Sequence, residues 1–287
     1  MAGETLVKLS EMKQVLSESR IQLTKSLGQN FLHDGNQLRR IVDAAKLATS
    51  DKVLEIGPGL GPLTELLVKR AGEVLAIEKD AKLVGILQER LNSPSLKLLH
   101  DDALKFLKGE RRDWSGWKLV SNLPYSVASP ILVELAQAPR SPDQIVVTLQ
   151  LEVAKRLMAK PGQKDYGVLT LLVHVEYESE GFFKIPASCF FPEPEVDSAC
   201  ISLARRVPDL LEPQQKPSYA KVVKRSFSQR RKMMIKLLKE DWPAGKLEEI
   251  FERLRLPIQS RAEDVSLEQY VALTRELSVS STDLAHE

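Results

Sequence analysis

The chain has 287 residues, 43% of them hydrophobic and 28% charged, with a formal net charge of +2. That is enough for one large α/β domain with a smaller appendage, at the composition of an ordinary globular protein. No apolar run reaches the roughly 18 residues a membrane-spanning helix needs, and the charge-studded start from Met1 to Arg20 lacks a signal peptide's apolar stretch, so a cytoplasmic protein is expected.

Leu6, Leu9, Met12, Val15 and Leu16 recur at helical spacing, which predicts an amphipathic helix over 5–18. A polar, basic arm follows, Thr24 to Asn30, then a helical pattern from Asn36 to Leu47. Lys52–Ile56 reads as a short buried strand that stops at Gly57-Pro-Gly-Leu-Gly61, and Leu63–Lys69 as the next helix. The alternation repeats with a strand at Glu73–Ile77, a helix at Ala81–Leu91 and a strand at Leu96–Leu99. Lys118–Ser121 and Ile145–Leu149 are further strands around a helix at Ser129–Ala138. Such alternation predicts a doubly wound, Rossmann-like sheet, mostly parallel, with helices on both faces. Val168–Val175 and Ala199–Leu203 are read as late strands forming an antiparallel edge.

Three prolines between Val207 and Pro217 mark a linker. The expected boundary puts residues 1–206 in the large domain, including the helix and arm of 1–35, and 207–287 in a small helical domain. Helices are expected there near 218–228, 230–239, 244–254 and 266–277. From Pro217 to Lys239 the chain carries eight basic residues and no acidic one, a pattern that suits a polyanion unless it is merely a solvated face. Cys189 and Cys200 read as reduced thiols, and the four scattered histidines give no reason to expect a metal.

Gly57, Gly59 and Gly61 let backbone approach a ligand at the carboxyl end of the first strand. A dinucleotide fingerprint would want glycine where Pro62 stands, and Glu55 would oppose a pyrophosphate. A cationic sulfonium ligand with an amino group suits Glu55 better, which favours S-adenosylmethionine. Glu78, 21 residues after Gly57, is placed to accept the ribose hydroxyls of such a donor, and Asp102 its adenine amino group. Ser121-Asn-Leu-Pro-Tyr125 follows the fourth strand. The N6 of adenine is a poor nucleophile because its lone pair is conjugated with the ring. An amide oxygen from Asn122 and a backbone carbonyl held out by a proline can accept both N–H groups, while Tyr125 offers a stacking face. The same string elsewhere would be an ordinary turn; its place at a strand tip beside the glycine loop makes it a candidate active site. Since stacking needs only the ring, Tyr125→Phe is expected to be mild.

Lys25-Ser-Leu-Gly-Gln-Asn-Phe-Leu-His-Asp34, Glu55–Gly61, Asp102-Ala103, Asn122–Tyr125 and Phe190-Phe-Pro-Glu-Pro-Glu-Val-Asp-Ser198 stand in one order over nearly the whole chain. In this the chain resembles the bacterial small-subunit rRNA adenine N6,N6-dimethyltransferases, the kasugamycin-resistance methyltransferase family. The resemblance implies that Asn30, Leu32, Gly57, Glu78, Asp102 and Asn122 touch the donor, and that Phe190 stacks on the target base opposite Tyr125. It implies as substrate two adjacent adenosines in the 3′-terminal hairpin loop of small-subunit rRNA, in a pre-30S particle. It implies that Arg230, Arg231 and Lys232, expected at the start of a helix, contact RNA phosphates. A monomer is expected. Asp101 departs from the family, where glycine or a neutral residue is commoner; Asp102 is chosen because Ala103 follows it. Two rivals share the scaffold: a large-subunit rRNA methyltransferase of the macrolide-resistance kind, and a non-catalytic assembly or transcription factor, whose catalytic loop would have decayed.

Overall fold

A computed structural model describes residues 9–18, 30–109 and 112–279. The arm over 24–29 and the first turn of the expected N-terminal helix lie outside the described residues. The chain divides into two compact units, one running to Ala154 with Glu178–Arg205, the other formed by Lys155–Tyr177 and the chain from Arg206 onward.

The first unit begins with α1 (Leu9–Glu18), β1 (Phe31–Leu32) and α2 (Gly35–Ala44). Alternation then runs β2 (Lys52–Ile56), α3 (Pro62–Val68), β3 (Glu73–Glu78), α4 (Ala81–Arg90), β4 (Leu96–His100), α5 (Ala103–Gly109), β5 (Trp117–Asn122), α6 (Ala128–Ala136) and β6 (Gln144–Gln150). After α7 (Leu151–Met158) and α8 (Val168–His174) come β7 (Tyr177–Ile185), β8 (Phe190–Phe191) and β9 (Ser198–Arg205). The main sheet has the order β4-β3-β2-β5-β6-β9-β7. From β4 to β6 every neighbouring pair is parallel, and β9 closes antiparallel on β6. The order reverses between β2 and β5, and right-handed crossovers on either side of such a reversal put helices on opposite faces. The expected doubly wound sheet is the one found.

β2, β3, β5 and β6 are nearly continuous buried runs, as strands covered on both faces must be. Leu38, Ile41 and Val42 of α2 and Leu63 and Leu67 of α3 cover one face, against Val53, Val74, Val120 and Val146. α1 buries Met12 and Leu16 against Phe31, Leu60, Leu83 and Ile86, the apolar stripe its spacing implied.

Several segments depart from the sequence reading. Val168–Val175 is the helix α8, not a strand: Leu169, Thr170, Leu171, Leu172 and Val173 are all buried, so no polar face betrays the helical period. That segment lies within 155–177, which belongs to the second unit, not to the first domain as expected. β7 was not anticipated, because three charges and an exposed pattern mask its alternation.

The second unit continues through a 3-10 turn at Pro213–Gln215 into α9 (Lys216–Ser226), α10 (Met234–Leu238), α11 (Ala244–Arg253) and α12 (Leu267–Val279). The stretch from Phe227 to Met233 is a turn between α9 and α10, not the start of a helix. Phe227 anchors it by stacking on Tyr270 at 6.3 Å and meeting Tyr166 edge-on at 6.5 Å.

Lys118 on β5 carries its charge into a polar knot. Its Nζ pairs with Asp51 at 2.8 Å and donates to the carbonyls of Ala45 and Lys46, the two residues that follow α2. Both side chains of the pair are about four-fifths buried. Lys118→Met should therefore lower stability by about 1–3 kcal/mol, the range for stranding buried hydrogen-bond partners. A urea midpoint unchanged from the parent chain would refute this.

Candidate active site

The sheet delivers its polar side chains to one edge. Register places Ile56 beside Ile77, and Glu78 beside His100, so β2, β3 and β4 end side by side. β2 and β5 pair only from Lys52 with Trp117 to Leu54 with Leu119. Beyond that they splay, and the buried Ser121 hydroxyl bridges the gap by donating to the Ile56 carbonyl (2.6 Å) and accepting from the Ile56 N–H (3.3 Å). Open α/β sheets bind ligands at such a reversal. A cleft of about 1190 Å³, open mouth included, lies there.

Asn30, Leu32, Glu55, Gly57, Gly59, Glu78, Asp101, Asp102, Asn122 and Tyr125 all line this cleft. Spacing had placed Glu55, Gly57, Glu78, Asp102, Asn122 and Tyr125 together, and the resemblance had added Asn30 and Leu32. Phe190 is the exception. Its pairing with Leu32 on the β1–β8 ladder turns it into the core, where it is 2% exposed among Leu38, Val120 and Ile185. Phe190 does not line the cleft, so in this structure it offers no exposed face for a base to stack on.

The glycines are also required by the protein's own packing. All three have positive φ, where a side chain is strained. A Cβ on Gly57 would come within 2.9 Å of Pro124, one on Gly59 within 2.7 Å of Phe31, and one on Gly61 within 2.7 Å of Leu87. Glycine is required here for close packing within the protein, and at Gly57 that contact sets the glycine loop directly against the Asn-Leu-Pro-Tyr loop.

The acids differ in how far they are already satisfied. Glu78 accepts from the N–H groups of Lys79 (2.8 Å) and Asp80 (2.9 Å) on one oxygen and of Gly59 (3.1 Å) on the other. Burial raises its pKa and those three donors oppose the rise. One in-plane lone pair, on Oε2, is left for a ligand hydroxyl. Asp102 caps α5 through the N–H groups of Leu104 and Lys105 and pairs with Lys79 at 2.8 Å, which holds its pKa down. Asp101 is exposed and accepts from the Asp102 N–H at 2.7 Å, a local turn contact.

Asn122 donates its Nδ2 to the Asn30 carbonyl at 3.0 Å, which leaves Oδ1 buried without a partner. Glu55 Oε2 is likewise buried and unpartnered. Two orphaned acceptors at one cleft call for a ligand rich in donors. Glu78, Asp101 and Asp102 around the cleft also suit a cation rather than a pyrophosphate. The residues fit S-adenosylmethionine: the Asn122 and Glu55 oxygens are free for N–H donors, and Glu78 keeps capacity for a ribose hydroxyl. Among the described residues no group of three His, Cys, Asp or Glu side chains is arranged to hold a metal. Cys189 and Cys200 are both free thiols, and burial pushes Cys200 up to about 12.

The model for ribosomal RNA adenine dimethylases matches residues 20–278. The chain belongs to the ribosomal RNA adenine dimethylase family. Among its relatives, the ribosomal RNA small subunit methyltransferase A of Geobacillus kaustophilus is 38% identical, over 93% of this chain and 94% of the relative. The protein of that name in Clostridium perfringens is 37% identical, over 93% and 95%. Among solved structures, a dimethyladenosine transferase from Plasmodium falciparum matches the fold with a TM-score of 0.73 at 23% identity, over 86% of this chain and 97% of that one. The 23S rRNA methyltransferase ErmE gives 0.65 at 30% identity, over 87% and 100%. Membership in the dimethylase family makes this chain a methyltransferase with S-adenosylmethionine as methyl donor and rRNA as substrate class. Relatives named for the small subunit outrank ErmE in identity, so the large-subunit alternative is not favoured.

The dimethylase's second unit revises the reading of the basic block. Lys221 pairs with Asp241, Arg225 with Asp241 and Glu240, Arg230 with Glu263 at 3.5 Å, and Lys239 with Glu248. Arg230 also donates to the Lys164 carbonyl at 2.9 Å. Arg231 and Lys232 are exposed and, with Lys224 and Lys236, make no ion pair among the described residues. Half of the block is thus neutralised by acids that lie outside it in sequence.

Burial pushes Glu55 up to about 8, with the Glu78 charge adding to the rise and the Thr64 hydroxyl opposing it. Between its ordinary value of 4.5 and about 8 the folded chain holds a proton that the unfolded chain has released. Stability contributed at this group is therefore lost as pH rises through that window and is constant above it. Glu55→Gln should match the parent's thermal midpoint near pH 5 and exceed it increasingly towards about pH 8 in donor-free protein. A difference that does not change with pH would mean that Glu55 is ionised throughout.

Proposed function

We propose that this dimethylase methylates N6 of two adjacent adenosines in the 3′-terminal hairpin loop of small-subunit rRNA, twice each. We assign it to pre-30S particles in the cytoplasm, as a monomer without a metal. The observation that carries the reading is the buried, unpartnered Oδ1 of Asn122 at the cleft.

When bound, S-adenosylmethionine supplies a methyl group on a sulfonium, an electrophile that needs no further activation. Glu78 would hold the ribose, Asp102 the adenine amino group, and Glu55 the cationic end, while Asn30, Leu32 and Gly57 shape the wall. Asn122 Oδ1 accepts one N–H of the target amine, and the Leu123 carbonyl, held out by Pro124, accepts the other. Drawing both N–H groups towards fixed acceptors turns the nitrogen lone pair out of conjugation. Tyr125 gives the unpaired base the stacking it lost on leaving its neighbours. After transfer the nitrogen is strongly acidic and sheds its proton to water, so no separate base is needed. Catalysis here is alignment and dipole placement.

Asn122→Ala should fold and bind RNA, yet lower single-turnover methylation of unmethylated small subunits by about 100-fold, the loss typical of one removed transition-state dipole. S-adenosylhomocysteine affinity is measured on the same preparation. Near-full rate in Asn122→Ala would sink the proposed role of this amide.

RNA contact is assigned to Arg231 and Lys232, with Arg230 holding the turn that presents them. Replacing Arg231 and Lys232 by alanine should weaken RNA binding and flatten its dependence on log salt by about one per lost phosphate contact. Arg230→Ala alone should lower the melting temperature more than it changes that slope. Equal slopes in all three proteins would remove this turn from the RNA interface.

A further inference from the structure

Ser198 closes the motif that begins at Phe190, and neither the sequence nor the family resemblance gives it a task. It is fully buried at the first residue of β9, paired with Gln150 of β6. Its hydroxyl lies 2.6 Å from the hydroxyl of Tyr125. Tyr125 sits on the loop after β5 and is half-buried at the cleft, where desolvation raises its pKa and the Ser198 contact opposes the rise. A tyrosine ring turns in a broad two-fold well about its second torsion, so its backbone alone does not fix the ring plane. The hydroxyl lies on the axis of that torsion, so a hydrogen bond there holds the ring's long axis in place, and it biases the ring plane because the phenolic O–H and lone pair prefer to lie in that plane.

The anchor itself is rigid. Asp197, one residue before, accepts from the Leu151 N–H through its carbonyl at 2.9 Å. Its carboxylate accepts from the Ala187 N–H at 2.9 Å and pairs with Lys184 at 2.6 Å. Three ties thus hold the strand end on which Ser198 sits. We propose that Ser198 is a positioning residue for methyl transfer: through Tyr125 it holds the axis and biases the plane of the aromatic wall against which the target adenine is held. The proposal rests on Tyr125 facing that base. It also revises the expectation that Tyr125→Phe is mild, because the phenylalanine ring keeps its stacking face and loses its orientation.

The test is a double-mutant cycle of Ser198→Ala and Tyr125→Phe, read as single-turnover methylation of unmethylated small subunits at saturating S-adenosylmethionine. Each single variant should slow transfer roughly 5–20-fold, the scale of a lost neutral hydrogen bond and a slightly misplaced reactant. The double variant should be no slower than the slower single one, since both remove the same bond. The RNA concentration at half-maximal rate and the affinity for S-adenosylhomocysteine should stay at parent values, which a general loosening of the fold would not allow. Losses that multiply, or a Ser198→Ala rate within two-fold of the parent (a factor too small for a lost hydrogen bond that aligns the base), would overturn the proposal. If Ser198→Ala does not fold, Tyr125→Phe alone decides, full rate refuting it. Tyr125→Ala separates the two readings. If it retains the parent rate, Tyr125 is not the base-facing wall. If it collapses while Ser198→Ala does not, only the role of Ser198 falls.

Discussion

The ladder between β2 and β5 ends at Leu54 and Leu119, and everything the cleft does follows from the strands parting there. Two parallel strands that stop pairing expose backbone groups that must be satisfied within a buried sheet. Ser121 meets that need with one hydroxyl, which both donates to and accepts from Ile56. The opening is thereby held at the width of a side chain. Gly57 turns out of β2 above it, Asn122 leaves β5 beside it, and Gly57 packs against Pro124 across it. Donor loop and acceptor loop are two lips of one split in the sheet.

Much of this was legible in the sequence, and the failures have identifiable causes. Strands buried on both faces read as apolar runs, so β2 to β6 stood out, and acids that end such runs pointed to the cleft. α8 failed for the same reason: a helix buried all round carries no polar stripe, and its valines and leucines read as a strand. Ser121 and Ser198 had no visible task, because their partners lie 65 and 73 residues away in the chain. Phe190 depends on a two-residue ladder, in which a shift of one residue exchanges core for surface.

The basic block misled in a more general way. A run of like charge looks uncompensated only along the chain. Folding brings Asp241, Glu248 and Glu263 to it, and the pairs that form on either side leave Arg231 and Lys232 projecting from a turn. A turn presents adjacent side chains together, where a helix would fan them 100° apart in a 3.6-residue period. The switch from expected helix to observed turn therefore concentrates the free charge rather than dispersing it, which is favourable for gripping neighbouring phosphates.

The amide of Asn122 joins these strands of argument. An asparagine has two ends, and only one presents the acceptor that an amine substrate needs. The Asn30 carbonyl at 3.0 Å selects the orientation, because a flipped amide would set oxygen against oxygen. Asn30 stands just before β1 and lines the cleft. The position of that backbone thus determines which end of Asn122 faces the ligand. Leaving Oδ1 buried and unpaired costs the empty protein about 1–3 kcal/mol, which is returned only when a donor N–H arrives. On the function proposed above, that donor is the target amine, and the cost is what keeps an acceptor in place for it.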